Sequence, residues 1–439
     1  MLDLALLLTQ LLVILAAARA AGRIGRAIGQ PRVIGEMAAG IALGPSVFGL
    51  LSPEAMRALF PESGMLPLSV LSQLGVILFM FVIGLRLDLA VLRGRVRSSV
   101  AIGHASIAVP FVLGVILGSW LYPSLAGDGA ARLPFKLFLG AAMSVTAFPV
   151  LARILAERGL MHTRIGAVTI ASAAVGDVTA WCLLAGVVGV ARGGDALWPF
   201  VGTMLGAVAY AVCVLTIGRR VLQRWDERRV SKDPSGLSVH DFGLVVGVAL
   251  GSALATELVG VHPLFGAFLA GTIVPRDLGL ARAVGDRLED ILTTLLLPVF
   301  FALTGLRTEL GLVAAAGLWG VFAVILAIAV VGKLGGSAIA ARLAGTPWRE
   351  ACAIGVLMNT RGLMELVILN VGLEIGVIAP ALFAMMVIMA LTTTVITSPL
   401  LVALLGSRSG GAQPAHVAAS TGRQVAGSAR PHVHRGSRP

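Results

Sequence analysis

Thirteen apolar runs constrain this chain more than any other feature of it. They fall at residues 2–20, 33–51, 66–85, 98–122, 135–152, 165–191, 197–218, 241–260, 262–275, 291–306, 310–341, 351–372 and 378–405. About 20 apolar residues in a helix cross the hydrocarbon core of a bilayer. In lipid the backbone must satisfy its own hydrogen bonds, and a chain of separate apolar runs does so as helices. Charged residues make up 13% of the chain, against roughly 25% in soluble domains. The expected fold is therefore an all-α polytopic membrane protein with about 13 transmembrane helices, occupying residues 1–405. The first run carries Asp3 where a leader peptide would carry basic residues, so it reads as a true first span. Residues 406–439 are rich in Gly, Ser, Ala, Pro and Arg and read as a disordered basic tail.

The net charge is +12. Such a balance can signal nucleic acid, but here the arginines sit in short segments between apolar runs. The partner they imply is the lipid bilayer, with no nucleic acid. Under the thirteen-span scheme, 25 of the 34 basic residues fall in one set of alternate loops or the tail, and 5 in the other set. Basic loops face the cytoplasm. The split predicts an outside N-terminus and a cytoplasmic C-terminus in a multi-pass protein of the cell (inner or plasma) membrane. The three cysteines, Cys182, Cys213 and Cys352, have neither metal-ligand nor disulfide spacing. No phosphate loop, dinucleotide motif, metal cluster or Ser/His/Asp arrangement stands out. No enzyme, metal or cofactor is expected, and the energy source would be an ion gradient.

The two halves of the chain echo each other. GEMAAG (35–40) in the second span matches GAFLAG (266–271) in the ninth, and GLRLDL (84–89) after the third matches GLRTEL (305–310) after the tenth. The fifth and twelfth spans both interrupt their apolar runs with polar residues. Partners lie seven spans apart, an odd number, so the halves would sit in opposite orientations. Spans 1–6 and 8–13 read as inverted repeats joined by span 7. Transporters built this way place their site near the midplane, between the repeats.

Ionisable residues inside spans cost on the order of 2.5–3.5 kcal/mol by insertion scales. Asp177 is the thirteenth residue of an otherwise uncharged run of 27, residues 165–191. Desolvation makes such a carboxylate able to hold a proton or a cation near neutral pH; the other reading is a structural carboxylate paired inside the bundle. Lys333 is the only charge between Leu310 and Ala341 in a chain with just three lysines. Lysine, unlike arginine, can lose its proton when buried. It is a candidate charge partner for Asp177 or a lysine snorkelling to the interface. In SVTAFPVLARIL (144–155), Ser144 and Thr146 are polar and Pro149 removes a backbone donor. A helix broken there exposes carbonyls and dipole ends that hold ions; a tolerated kink is the alternative. In MNTRGLMELV (358–367), Asn359, Thr360 and Gly362 suggest a second break. Arg361 and Glu365 can pair on one face, as a structural ion pair or a secondary site. Glu257 and His262 read as rim residues at the outer end of the eighth span, with a pH-sensing role as the other reading.

Taken together, QPRVIGEMAAGIALGPS (30–46), ILFMFVIGLRLDL (77–89), SVTAFPVLARIL, AAVGDVTAW (173–181), GVHPLFGAFLAG (260–271), LLPVFFALTGLRTEL (296–310), GKLGG (332–336) and MNTRGLMELVILNVGL (358–373) resemble the monovalent cation:proton antiporter-2 family. The likeness is to its CHX-like branch, related to Kef-type potassium efflux systems, and runs from residue 30 to about 400. It implies a sodium/proton antiporter-like fold and a homodimer. Spans 4–6 and 11–13 would form a mobile core that moves elevator-fashion to give alternating access. It implies exchange of K⁺ or Na⁺ for protons at Asp177, with Lys333 near it and Thr146 in the first broken helix. Gly176 stands where the superfamily usually has Asn or Asp, and Arg86 where it usually has Glu. Two other readings remain open at this point: a passive cation channel or uniporter, and a non-transporting membrane sensor with the same fold.

Overall fold

The structure is a computed structural model and describes residues 4–87, 95–191, 197–232, 237–275, 279–306 and 318–406. The expected disordered tail lies outside the described residues, apart from Gly406. Helices follow the apolar runs in order: α1 (Leu4–Ala27), α2 (Arg32–Leu43), α3 (Glu62–Arg86), α4 (Val96–Leu125), α5 (Arg132–Ser144), α6 (Phe148–Glu157), α7 (Arg164–Ala191), α8 (197–232), α9 (Val239–Val259), α10 (Pro263–Ile273), α11 (280–306), α12 (Trp319–Leu343), α13 (Trp348–Met358), α14 (Leu363–Glu374) and α15 (Pro380–Leu405). The described residues contain no strand, only an isolated antiparallel bridge between Ala126 and Ile378.

Two apolar runs are split as expected. The fifth becomes α5 and α6 with residues 145–147 extended between them; the twelfth becomes α13 and α14, separated at 359–362. The first break is the expected break rather than the alternative kink, but the proline acts differently from the lost backbone donor that suggested it. Pro149 lies in the first turn of α6, where a missing N–H costs nothing and the fixed φ favours helix initiation. The chain thus leaves the helix before the proline, and the proline starts the next one. The seventh run also extends further than expected. Its helix continues through a wide turn at Val214–Gly218 into the basic segment Arg219–Lys232, since loss of hydropathy ends a membrane crossing without ending a helix.

The helices sort into two packed groups. In one, α4, α5 and α7 pack together, α12 lies against α4, and α13 and α14 pack on α15. In the other, α1 packs on α2, α2 and α3 on α11, and α10 on α3 and α9. The groups meet where α6 touches α2 and α3, α10 touches α7, and α11 touches α14.

Two close crossings hold the second group. A Cβ on Gly40 would lie 1.9 Å from the carbonyl oxygen of Ala302, and one on Gly305 2.1 Å from that of Met37. A Cβ on Gly84 would lie 2.2 Å from the oxygen of Phe268, and one on Gly271 2.1 Å from that of Phe81. Close helix approach through small residues is a main source of association in lipid. In the sequence echo Gly40 matches Gly271 and Gly305 matches Gly84, so exchanging the halves converts one crossing into the other. Gly40→Ala is expected to destabilise by about 1–3 kcal/mol through overpacking. Gly247→Ala on α9, with nothing within 4 Å, should leave stability nearly unchanged. Melting followed by fluorescence-detected size exclusion compares the two; equal effects would mean the crossing is loose.

Candidate ion-binding site

The two broken helices meet at their breaks. The Ala147 N–H donates to the Thr360 carbonyl at 2.9 Å, and the Thr146 hydroxyl donates to the Met358 carbonyl at 3.3 Å. The second break is tied to α15: the Arg361 N–H donates to the Thr394 hydroxyl oxygen at 2.9 Å, and that hydroxyl in turn reaches the Arg361 carbonyl. Thr146, Asn359, Thr360, Arg361 and Glu365 are all buried.

A broken helix leaves its last carbonyls unpaired, at the negative end of its dipole. In α5 those carbonyls meet cations. Arg361 donates through Nη2 to the Met143 carbonyl at 2.7 Å and through Nη1 to that of Ala142 at 3.4 Å. Lys333 Nζ donates to the Ser144 carbonyl. Lys333 is fully buried and sits in a π turn, Val331–Gly335, a distortion frequent at functional positions. It is therefore no snorkelling lysine. Arg361 also pairs with Glu365 at 3.2 Å, both side chains within 1% of full burial. Glu365 lies in the first turn of α14, where the helix dipole favours a negative charge. The Ser144 hydroxyl donates to the backbone, with the Gly140 carbonyl at 2.7 Å and that of Ile107 at 3.0 Å.

Asp177 is 2% exposed on α7, a helix that packs against α4, α5, α6 and α13. Neither of its carboxylate oxygens has a hydrogen-bond partner. No ion pair joins it to Lys333, which is bonded to Ser144 instead, although Lys333 lies within electrostatic reach. Asn359 Oδ1 and Glu365 Oε2 are likewise buried and unpartnered. Buried polar groups are nearly always bonded, so these unpartnered oxygens are candidates to meet a cation, and the two carboxylates among them a proton. A Cβ on Gly176 would meet nothing closer than 3.7 Å, so lack of room at that atom does not explain the glycine.

If Lys333 chiefly caps α5, Lys333→Gln keeps a donor but loses its charge. It is expected to cost about 1–3 kcal/mol of stability. A melting curve checks this; unchanged stability would mean that the cap on α5 is dispensable.

The structure adds contacts that the sequence reading did not supply. His262 is more than a rim residue: Nδ1 accepts from the Leu264 N–H at 3.4 Å, and its ring lies 5.0 Å from that of Trp181, one helical turn beyond Asp177. Phe148, at the start of α6, meets Phe268 of α10 edge-on, also at 5.0 Å. Glu257 is exposed. Arg153, one residue past the fifth apolar run, is 5% exposed within α6 and pairs with Glu157 at 2.7 Å. Glu157 in turn accepts from the Arg32 N–H at 2.6 Å, capping α2, and Arg158 donates to the Gly29 carbonyl at 2.7 Å and to Ser398. An Arg and a Glu four apart at the end of an apolar run was the available signal. Arg86 pairs with Glu289 on α11.

Comparison with known proteins bears on the family and the fold. The family model described as "Sodium/hydrogen exchanger, transmembrane" matches residues 11–405. The Na(+)/H(+) antiporter NhaS4 of Synechocystis sp. is 42% identical over 402 residues, covering 90% of this chain and 96% of the relative. Cation/H(+) antiporter 17 of Arabidopsis thaliana is 37% identical over 91% of this chain and 48% of its own length. K(+)/H(+) antiporter 1 of Saccharomyces cerevisiae is 37% identical over 84% of this chain and 43% of its own. The chain thus spans about half the length of the plant and yeast relatives. Among solved structures, the sodium proton antiporter MjNhaP1 of Methanocaldococcus jannaschii shares the fold, with a TM-score of 0.64 over 92% of this chain and 98% of that one, at 15% identity. A family match across nearly all the membrane-spanning sequence, with a near full-length relative at that identity, leaves one assignment: the chain belongs to the sodium/hydrogen exchanger family.

Proposed function

We propose that this protein is a secondary active antiporter that exchanges a monovalent cation, Na⁺ or K⁺, for protons, with Asp177 holding cation and proton in turn. The observation that carries the reading is the Asp177 carboxylate, buried with both oxygens unpartnered, on a helix packed against both broken helices and within electrostatic reach of the lysine that holds the end of α5. A carboxylate so placed is costly when ionised and alone. A bound proton or a bound cation relieves that cost, and the two compete for the same oxygens. Thr146 and Ser144 are proposed to line the site, with Lys333 as a nearby positive charge. The other features of the second break, Asn359, Thr360, Arg361 and Glu365, frame it.

Movement is proposed to be elevator-type alternating access, with the group that contains α4–α7 and α12–α15 as the mobile core. The ring pairs Trp181–His262 and Phe148–Phe268 join that core to α10 and would slide or part as it moves. Two inverted repeats are the proposed origin of the paired breaks and the paired glycine crossings. The charge split of the loops supports an outside N-terminus, a cytoplasmic C-terminus and residence in the cell membrane. A homodimer is proposed as the assembly.

The test uses the purified chain in liposomes with an imposed pH gradient and a pH-sensitive dye, adding Na⁺, K⁺, Li⁺ and Rb⁺ in turn. Cation-dependent proton movement is the expected result, and the cation that drives it names the substrate. Proton movement that ignores every cation, or cation flux indifferent to pH, would overturn the exchange reading.

A further inference from the structure

Away from the helix breaks, three arginines converge on one cavity. It has a volume of about 770 Å³ and lies between the start of α4, the start of α7 and the end of α12. Arg95, Arg97 and Arg164 line it together with Ser98, Ala340 and Leu343. Among the described residues no carboxylate lines it, and none of the three arginines has a carboxylate partner. Three guanidinium groups sharing one hollow repel one another, and an anion placed among them would offset that.

The surroundings say which anion. The wall on the α12 side is apolar, formed by Ala340, Leu343 and Ala344; Leu343 is 83% exposed, and Ile339, one turn before it on the same helix, is 54% exposed. In a chain that spans a bilayer, such side chains face acyl tails. Just past α12, Trp348 is 56% exposed and stacks under the Arg342 guanidinium at 5.8 Å. Tryptophan with a basic neighbour is the usual mark of the headgroup level. The cavity therefore opens at the interface, with arginines on the water side and apolar residues on the lipid side. Guanidinium forks fit phosphate oxygens, and basic pockets between transmembrane helices take anionic headgroups.

We propose that this cavity is a binding site for an anionic glycerophospholipid, its phosphate held by Arg95, Arg97 and Arg164 and an acyl chain lying along Ile339 and Leu343. All three lining helices belong to the same packed group, so the lipid would travel with that group. The inference needs only a membrane-spanning chain. It stands whichever cation is exchanged and would survive failure of the antiport reading.

Native mass spectrometry of the full chain, released from neutral detergent, provides the test. The probes are phosphatidylglycerol, phosphatidylcholine and inorganic phosphate, each against the wild type and the Arg95→Gln/Arg97→Gln/Arg164→Gln variant. Phosphatidylglycerol should bind the wild type with a retained adduct. Its affinity should fall about fivefold per arginine lost and on the order of 100-fold in the triple variant. Phosphatidylcholine binding should be weak and unchanged by the substitutions. Equal phosphatidylglycerol affinity in both proteins would overturn the proposal, as would a parallel fall for phosphatidylcholine, which would signal general damage. Full displacement of the lipid by millimolar inorganic phosphate would make this a free-anion site and overturn the lipid assignment. Should the triple variant not fold, Arg97→Gln and Arg164→Gln, both at exposed positions, carry the same comparison singly.

Discussion

Asp177→Asn is expected to abolish cation-driven proton movement, reducing it to the level of protein-free liposomes, while the protein keeps its fold. Both halves follow from one geometry. The amide has nearly the shape of the carboxylate but cannot ionise, so it can neither release a proton to an arriving cation nor neutralise the cation's charge. The fold should survive because the native carboxylate makes no hydrogen bond that the amide would lose. Burying an ionised group costs several kcal/mol unless it is paired, and the substitution removes that cost. The melting temperature of Asp177→Asn should therefore match or exceed that of the native chain. The measurement pairs a melting curve with dye-monitored flux in the same preparation. Flux that persists would move the site elsewhere, with Glu365 the next carboxylate to test. A steep loss of stability would assign Asp177 a structural role, because a group that holds the bundle together cannot also be the group left waiting for an ion.

Much of this architecture could be read from residue order, for reasons particular to lipid. A bilayer spaces its helices by thickness, so the thirteen runs emerged from hydropathy alone, including the short α10. Both helix breaks were legible because Ser, Thr, Asn and Gly interrupt apolar runs where a membrane helix has no other use for them. Asp177, Lys333 and Arg361 stood out as charges where charge is expensive. What those charges touch was hidden. The acceptor of Lys333 lies 189 residues away, and the carbonyls held by Arg361 lie 218 and 219 away. A backbone carbonyl has no sequence signature of its own, so only the crossing of the broken helices reveals it. The obvious partner of each cation was a carboxylate. Arg361 does have one in Glu365, but both cations also serve the end of α5. Arg153 was misplaced for a related reason: hydropathy windows close at the first charge, and the buried pair with Glu157 continues the helix past that point. Periodicity could not help, since every residue from Leu264 to Ile273 of α10 is buried and the helix has no polar face to read.

Arg361→Ala should be among the most destabilising single changes in the chain, costing about 3–5 kcal/mol, the range for breaking a buried ion pair by removing one partner. Total stabilities of folded domains run about 5–15 kcal/mol, so a large loss of recovered protein is expected beside a lower melting temperature. Arg361 is fully buried and does two things at once: it neutralises Glu365 at 3.2 Å, and its second nitrogen reaches the Met143 carbonyl at 2.7 Å. Alanine leaves a buried carboxylate uncompensated and returns the last carbonyls of α5 to an unsatisfied state in lipid. Glu365→Gln removes only the first function and should be clearly milder, because the arginine retains its carbonyl acceptors. Arg361→Lys should fall between them: its point charge can meet the carboxylate or the carbonyls but cannot fork to both. The double variant Arg361→Ala/Glu365→Ala should cost less than the sum of its singles, since neither charge is then left alone. Melting curves for these variants test the order. If Glu365→Gln proved as damaging as Arg361→Ala, the ion pair would be the essential element and capping of α5 incidental. If Arg361→Ala were mild, the broken helix would have to end its dipole by some other means. The expected order instead makes the arginine the clasp between the two breaks, fixing the end of α5 to the start of α14 through the Met143 carbonyl and Glu365.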